Sequence, residues 1–183
     1  MKKLFWVDME MTGLDEKIHH ILEIAVVVTD LELKKLDEYQ AVVFQTPEVM
    51  RGMDDWCTKT HGDSGLSGLV PHGKKLADVE KDVVTLLNKH FPKDERVVLV
   101  GNSVGNDRRF IDRYMPALAK RLHYRIIDVS SFKEIFRDRW GVKIMKASAH
   151  RASQDIFESI DELKTYLSYV NVPPPSSNTS TNK

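Results

Sequence analysis

The sequence predicts an α/β domain, a mixed five-stranded sheet flanked by helices. Short apolar, β-prone runs recur along the chain, and apolar residues at three- and four-residue steps follow or separate them. The resulting order, βββαβαβαα, combines strands close enough to be antiparallel with strands joined through helices, which makes a mixed sheet. At 183 residues the chain suffices for one such domain and is short for two.

Leu4 to Met9 reads as the first strand, Ile21 to Thr29 as the second and Tyr39 to Gln45 as the third, the polar stretch 30–38 forming a hairpin connection. Leu76, Val79, Val83, Leu86 and Leu87 share one face of an amphipathic helix reaching Phe91. Val97 to Val100 is a short buried strand, ending in the loop Gly101-Asn102-Ser103-Val104-Gly105-Asn106. A helix follows from Asp107 through Tyr114, and Pro116 interrupts or restarts it. Tyr124 to Val129 is the fifth strand. Ser131 with Glu134 three residues later reads as a capping box for a helix reaching Trp140. Ile156, Ile160, Leu163, Leu167 and Val170 line one face of the last helix. The domain is expected over 1–172. The Pro/Ser/Asn/Thr-rich residues 173–183 bury almost nothing and are expected to be disordered.

Composition narrows the function. Apolar content of 42% and charged content of 30% are those of a soluble globular protein. Lys+Arg and Asp+Glu number 27 each, for a net charge of zero. Tight grip on long nucleic acid needs many surplus cations, so a nucleic-acid substrate is expected to be short or locally held. Cys57 is the single cysteine, which excludes an intrachain disulfide and a cysteine-based zinc site. The N-terminus has no secretory pattern and no apolar run nears the ~20 residues that span a bilayer, so the cytoplasm is the expected location.

The chemistry concentrates in acids near strand ends. Asp8 and Glu10 stand two residues apart at the end of a strand, so both carboxylates leave the same face. Asp107 follows a strand and a polar loop, and Asp155 lies near the start of the last helix. Each also has a structural reading: a solvated strand edge, a helix N-cap, a partner of the helix dipole. His150 precedes Asp155 by five residues, about 140° of helical rotation, so serving one site together requires His150 to lie before or in the first turn. These hard oxygen donors without thiolates suit Mg²⁺ or Mn²⁺. Four carboxylates can serve two ions ~3.5–4 Å apart, the clamp used in phosphodiester cleavage, and a neutral histidine beside them can take a proton from water. Asp128 competes for a ligand position but reads better as a cap near Ser130. Arg108, Arg109 and Arg113 form either a phosphate patch or a solvated basic face.

The strings Asp8-Met9-Glu10-Met11-Thr12-Gly13-Leu14-Asp15, Gly101-Asn102-Ser103 with Asp107-Arg108-Arg109-Phe110, His123-Tyr124-Arg125 with Asp128-Val129-Ser130, and His150 with Asp155-Ile156 occur in that order. On these motifs the chain resembles the oligoribonuclease family, within the DEDDh group of 3′→5′ exonucleases. The resemblance implies a ribonuclease H-like fold and exonucleolytic cleavage of very short RNA, dinucleotides especially. It implies metal ligands Asp8, Glu10, Asp107 and Asp155, and His150 as general base. It further implies that Leu14 and Trp56 wedge against the bases, while Ser103, Arg125, Ser130 and His61 cap the 5′ phosphate. A homodimer is implied too, with Tyr124 reaching the site from the second subunit. Gln154-Asp155 stands where many members have two acids in a row. Two rivals remain, a DEDDh exonuclease acting on longer DNA or RNA ends and a non-catalytic nucleotide-binding module.

Overall fold

The computed structural model describes residues 2–144 and 151–170. Five strands, β1 (Leu4–Met11), β2 (Ile21–Thr29), β3 (Lys35–Val42), β4 (Val97–Gly101) and β5 (Leu122–Asp128), form one mixed sheet in the order β3-β2-β1-β4-β5. β1–β2 and β2–β3 are antiparallel, whereas β1–β4 and β4–β5 are parallel. This is the predicted α/β class with its five strands.

Alternation along β1 divides the core. Phe5, Val7 and Met9 face the layer of α4 (Leu76–His90), α5 (Gly105–Tyr114) and α6 (Pro116–Ala119), packing on Val83, Leu87, Phe110 and Ile111. Trp6 faces the opposite layer, α7 (Val129–Trp140) and α8 (Ala152–Ser168), with Phe136, Ile156, Ile160 and Tyr166. All nine residues of β2 are buried, as expected of a strand covered on both faces. Continuing the alternation, Asp8 and Glu10 leave β1 on the α8 side.

Some boundaries differ from expectation. β3 begins at Lys35, not Tyr39, and ends at Val42, because the hairpin closes within five residues. The Asp30 amide donates to the Lys34 carbonyl (3.1 Å), the Lys34 amide donates to Asp30 Oδ1 (2.8 Å), and Leu33 turns through φ 63°. Thr29 therefore pairs with Lys35 at once. The expected Ser131–Glu134 capping box is not the start of α7. Asp128 is the N-cap, accepting from the Ser130 amide, because β5 runs into the helix without a loop. Asp107 is not the N-cap of α5 but its third residue, within the first turn.

Three short helices without strong apolar periodicity occupy 47–69: α1 (Pro47–Arg51), α2 (Asp55–Asp63) and α3 (Leu66–Leu69). They were not expected from the sequence, although Thr46 before Pro47 and Asp54 accepting from the Cys57 amide (2.7 Å) are recognisable caps. No helix among the described residues is long and apolar enough to cross a membrane. His150 and the proline-rich tail lie outside the described residues.

Candidate active site

The site forms at the carboxyl ends of the parallel strands, where the sheet changes from antiparallel to parallel neighbours at β1. Gly101 permits the approach of β4 to β1, since a Cβ there would stand 2.7 Å from the Val7 carbonyl oxygen. Asp8 and Glu10 project toward α8 and meet Asp155 in its first turn. Each of the three offers a carboxylate oxygen, and these oxygens lie within 4.8 Å of one another. Asp107, from the first turn of α5, is buried beside Glu10 and takes a hydrogen bond from the Met9 amide.

The electrostatics are those of negative charge held out of water. Burial, with Asp155 and Glu23 nearby, pushes the Glu10 carboxyl up to about 7. Burial likewise pushes Asp107 up to about 8, with Glu10 and Asp128 adding to it and the amides of Asp107 and Met9 opposing it. Hard oxygen donors that repel one another this strongly fit a divalent cation, which would offset the charge that water no longer screens.

The position of Asp155 depends on an ion pair between Glu23 of β2 and Arg151, next to the start of α8. Glu23 lies opposite Glu10 across the β1–β2 ladder and is fully buried. Arg151 clamps it, with Nη2 at 2.7 Å from Oε1 and Nε at 3.1 Å from Oε2. Glu23 Oε2 also accepts from the Ala152 amide (3.1 Å), so a β2 carboxylate caps α8 three residues before Asp155. Gln40 donates to it from β3 at 2.7 Å.

The other predicted residues fall into three places. Ser103 and Ser130 meet at Asp128, whose Oδ1 accepts from the Ser103 amide (2.9 Å), the Ser130 amide (2.9 Å) and the Ser130 hydroxyl (2.7 Å). Ser103 holds φ 54°, a left-handed conformation that this bond fixes. Asp128 is thus a cap and a loop anchor. His61, in the last turn of α2, is buried; its Nε2 donates to the Met11 carbonyl at 2.8 Å and its Nδ1 stands 3.8 Å from Glu10. Because a carbonyl only accepts, the proton is on Nε2, and Nδ1 is the atom facing the acids. Leu14 and Trp56 are 62% exposed, and Tyr124 on the edge strand β5 is 78% exposed. The Arg125 guanidinium lies over the Tyr124 ring, 5.4 Å from its centre.

The basic face of α5 has structural partners. Arg108 donates to Asp112 (2.9 Å) and to the His123 carbonyl (2.7 Å), and Arg113 lies over the Tyr114 ring. Arg109 reaches toward Leu14.

Comparisons with known proteins agree with this geometry. The family model for exonucleases (RNase_T) matches residues 5–163. A probable oligoribonuclease of Dictyostelium discoideum is 46% identical over 170 residues, 90% of this chain and 88% of its own. The oligoribonuclease of Hydrogenovibrio crunogenus is 44% identical over 176 residues, 93% and 95% of the two chains. Among solved structures, the nuclease domain of 3′hExo, a DEDDh family member bound to rAMP, superposes with a TM-score of 0.62. Its identity is 16%, with 91% of this chain and 92% of that one covered. The fold is therefore that of the ribonuclease H-like DEDDh exonucleases. The chain belongs to the exonuclease family and, within it, to the oligoribonucleases.

Proposed function

We propose that the chain hydrolyses short oligoribonucleotides from the 3′ end, dinucleotides above all, releasing 5′-mononucleotides. The observation that carries this is the convergence of Asp8, Glu10 and Asp155 within 4.8 Å, with buried Asp107 against Glu10, in a chain whose relatives are named oligoribonuclease. The four carboxylates would hold two divalent ions, Mg²⁺ or Mn²⁺. Such ions supply charge stabilisation of the attacking and leaving oxygens in phosphodiester cleavage.

The remaining steps belong to the protein's own groups. His150, two residues ahead of Ala152 in the sequence, takes the proton of the attacking water. Leu14 and Trp56 offer exposed apolar surface to the bases. Ser103, Ser130, Arg125 and His61 recognise the terminal 5′ phosphate, with the serine backbones fixed by Asp128 and His61 fixed by Met11. Tyr124, exposed on an edge strand, enters the site of a second copy in a homodimer. The protein works in the cytoplasm.

The length of the substrate tests this reading against an exonuclease of longer ends and against a non-catalytic module. A pocket that closes on a 5′ phosphate leaves its donors less satisfied when the chain continues. A chain of zero net charge has no compensating grip on distant phosphates. In Mg²⁺, kcat/KM is expected to peak at the 5′-phosphorylated dinucleotide and fall with each added nucleotide, and EDTA is expected to stop turnover without unfolding. Equal single-turnover rates from two to about ten nucleotides would remove the closed pocket. No turnover of any length would leave the binding module.

His150→Ala is expected to retain metal while losing about 10²- to 10⁴-fold in turnover. Loss of metal binding, read by calorimetry, would make His150 a ligand.

A further inference from the structure

We propose that Arg109 is a positioning residue for substrate, fixing the loop that carries Leu14 to the helix that carries Asp107. The inference rests on the reading of Leu14 as a base contact given above and assigns the group that holds it there.

The loop between β1 and β2 is closed at its base and built from its own atoms. The Thr12 amide donates to the His20 carbonyl (2.9 Å), and the His20 amide donates to the Thr12 hydroxyl (3.0 Å). Tyr114 of α5 donates to the His19 carbonyl (2.8 Å), again at the base. Toward the tip, the Asp15 amide donates to His19 Nδ1 (3.0 Å) and the Lys17 amide to Asp15 Oδ1 (2.9 Å). The His19 ring lies where Gly13 would carry a side chain, 2.5 Å from an ideal Cβ. Of these bonds only that of Tyr114 reaches another helix, and it holds the base; none runs from the tip residues 14–17 directly to another element.

Arg109 makes that link. Its Nη2 donates to the Leu14 carbonyl (3.2 Å) and to Asn106 Oδ1 (2.9 Å), and its Nε stands 3.2 Å from Glu16 Oε2. One planar guanidinium thus joins Leu14 and Glu16 at the tip to Asn106 in the first turn of α5. Asp107 occupies that same turn, so the distance from the acid cluster to the Leu14 side chain is set across two residues of one rigid helix. Stability does not account for this network. Arg109 is 51% exposed and Glu16 24% exposed at the side chain, and ion pairs at that exposure contribute little to folding. The bond that matters geometrically is to a backbone carbonyl, whose placement directs the Leu14 side chain.

That last point makes the test clean, because Leu14→Ala removes the side chain and keeps the carbonyl that Arg109 binds. Steady-state turnover of a 5′-phosphorylated diribonucleotide in Mg²⁺ is compared for wild type, Arg109→Ala, Arg109→Lys, Leu14→Ala and Arg109→Ala/Leu14→Ala. Tryptic cleavage after Lys17 reports on the loop itself. Arg109→Ala is expected to raise KM about three- to tenfold with kcat within about twofold, and to speed cleavage after Lys17. Arg109→Lys, which keeps the charge and one bond at a time, falls between. The double variant is expected to be no worse than Leu14→Ala, since a loop without its side chain gains nothing from being held.

Additive losses in the double variant would mean that Arg109 meets substrate directly and would overturn the positioning role. A fall in kcat at unchanged KM, or unaltered cleavage after Lys17, would overturn it as well. An inactive wild type whose Lys17 cleavage still accelerates in Arg109→Ala would refute the proposed activity while the clamp on the loop stands.

Discussion

Asp107→Asn is expected to abolish nearly all turnover and yet to raise the melting temperature of the metal-free protein at pH 8. Both effects come from one buried carboxyl. Asp107 is pushed up to about 8 chiefly by burial and Glu10 to about 7, while an unfolded carboxyl titrates near ~4. Between those limits the folded state binds more protons than the unfolded state. Stability carried by these two groups is thus present at low pH and falls as pH rises from ~4 through 7 and 8. Asn keeps the shape and an oxygen for the Met9 amide while removing the charge, so that loss disappears for its position. A divalent ion must displace the same protons, so apparent metal affinity is expected to rise with pH across this window. Asp cannot be spared for catalysis, because a clamp on developing charge loses about 10²-fold or more when one donor goes. Thermal melts in EDTA at pH 5 and pH 8, with dinucleotide turnover in Mg²⁺, measure both halves. Turnover above about a tenth of wild type would remove Asp107 from the ligand set.

How far the sequence could lead is visible in individual residues. The period-two placement of Asp8 and Glu10 located both acids on one face of β1, because strand geometry fixes alternation whatever the neighbours are. The strand and helix order was sufficient for the sheet because each long element carried its own apolar period. Glu23 was different. Its burial is decided by residues 17 and 128 positions away, Gln40 and Arg151, and no local pattern marks such a pair. The three helices over 47–69 were missed for a related reason, being too short for periodicity to show; Leu66 of the last packs with Leu22, a residue more than forty positions earlier. Arg109 looked like one cation of a basic face, since the carbonyl it binds belongs to a loop 95 residues earlier.

Arg151→Ala is expected to cost more stability than a surface cation should. Glu23 has no exposed surface, and Arg151 supplies its bidentate partner; removing one member of such a pair strands a charge in a medium that cannot solvate it. The usual penalty is about 3–5 kcal/mol, which for a domain of this size lowers Tm by roughly 6–20 °C. The consequence reaches the site because Glu23 also caps the first turn of α8 through the Ala152 amide, and Asp155 lies in that turn. A carboxylate without its arginine draws toward water or a proton, the cap weakens, and Asp155 loses its register with Asp8 and Glu10. Metal affinity is therefore expected to fall together with Tm, although Arg151 touches none of the three acids' proposed ions. Adding Glu23→Gln to Arg151→Ala removes the stranded charge and keeps an oxygen for the Ala152 amide, so the double variant is expected to recover most of the lost Tm. The measurement is a double-mutant cycle of thermal melts, with metal titration of each variant. A single Arg151→Ala protein melting within about two degrees of wild type would show that Glu23 is held by Gln40 and the helix amide alone.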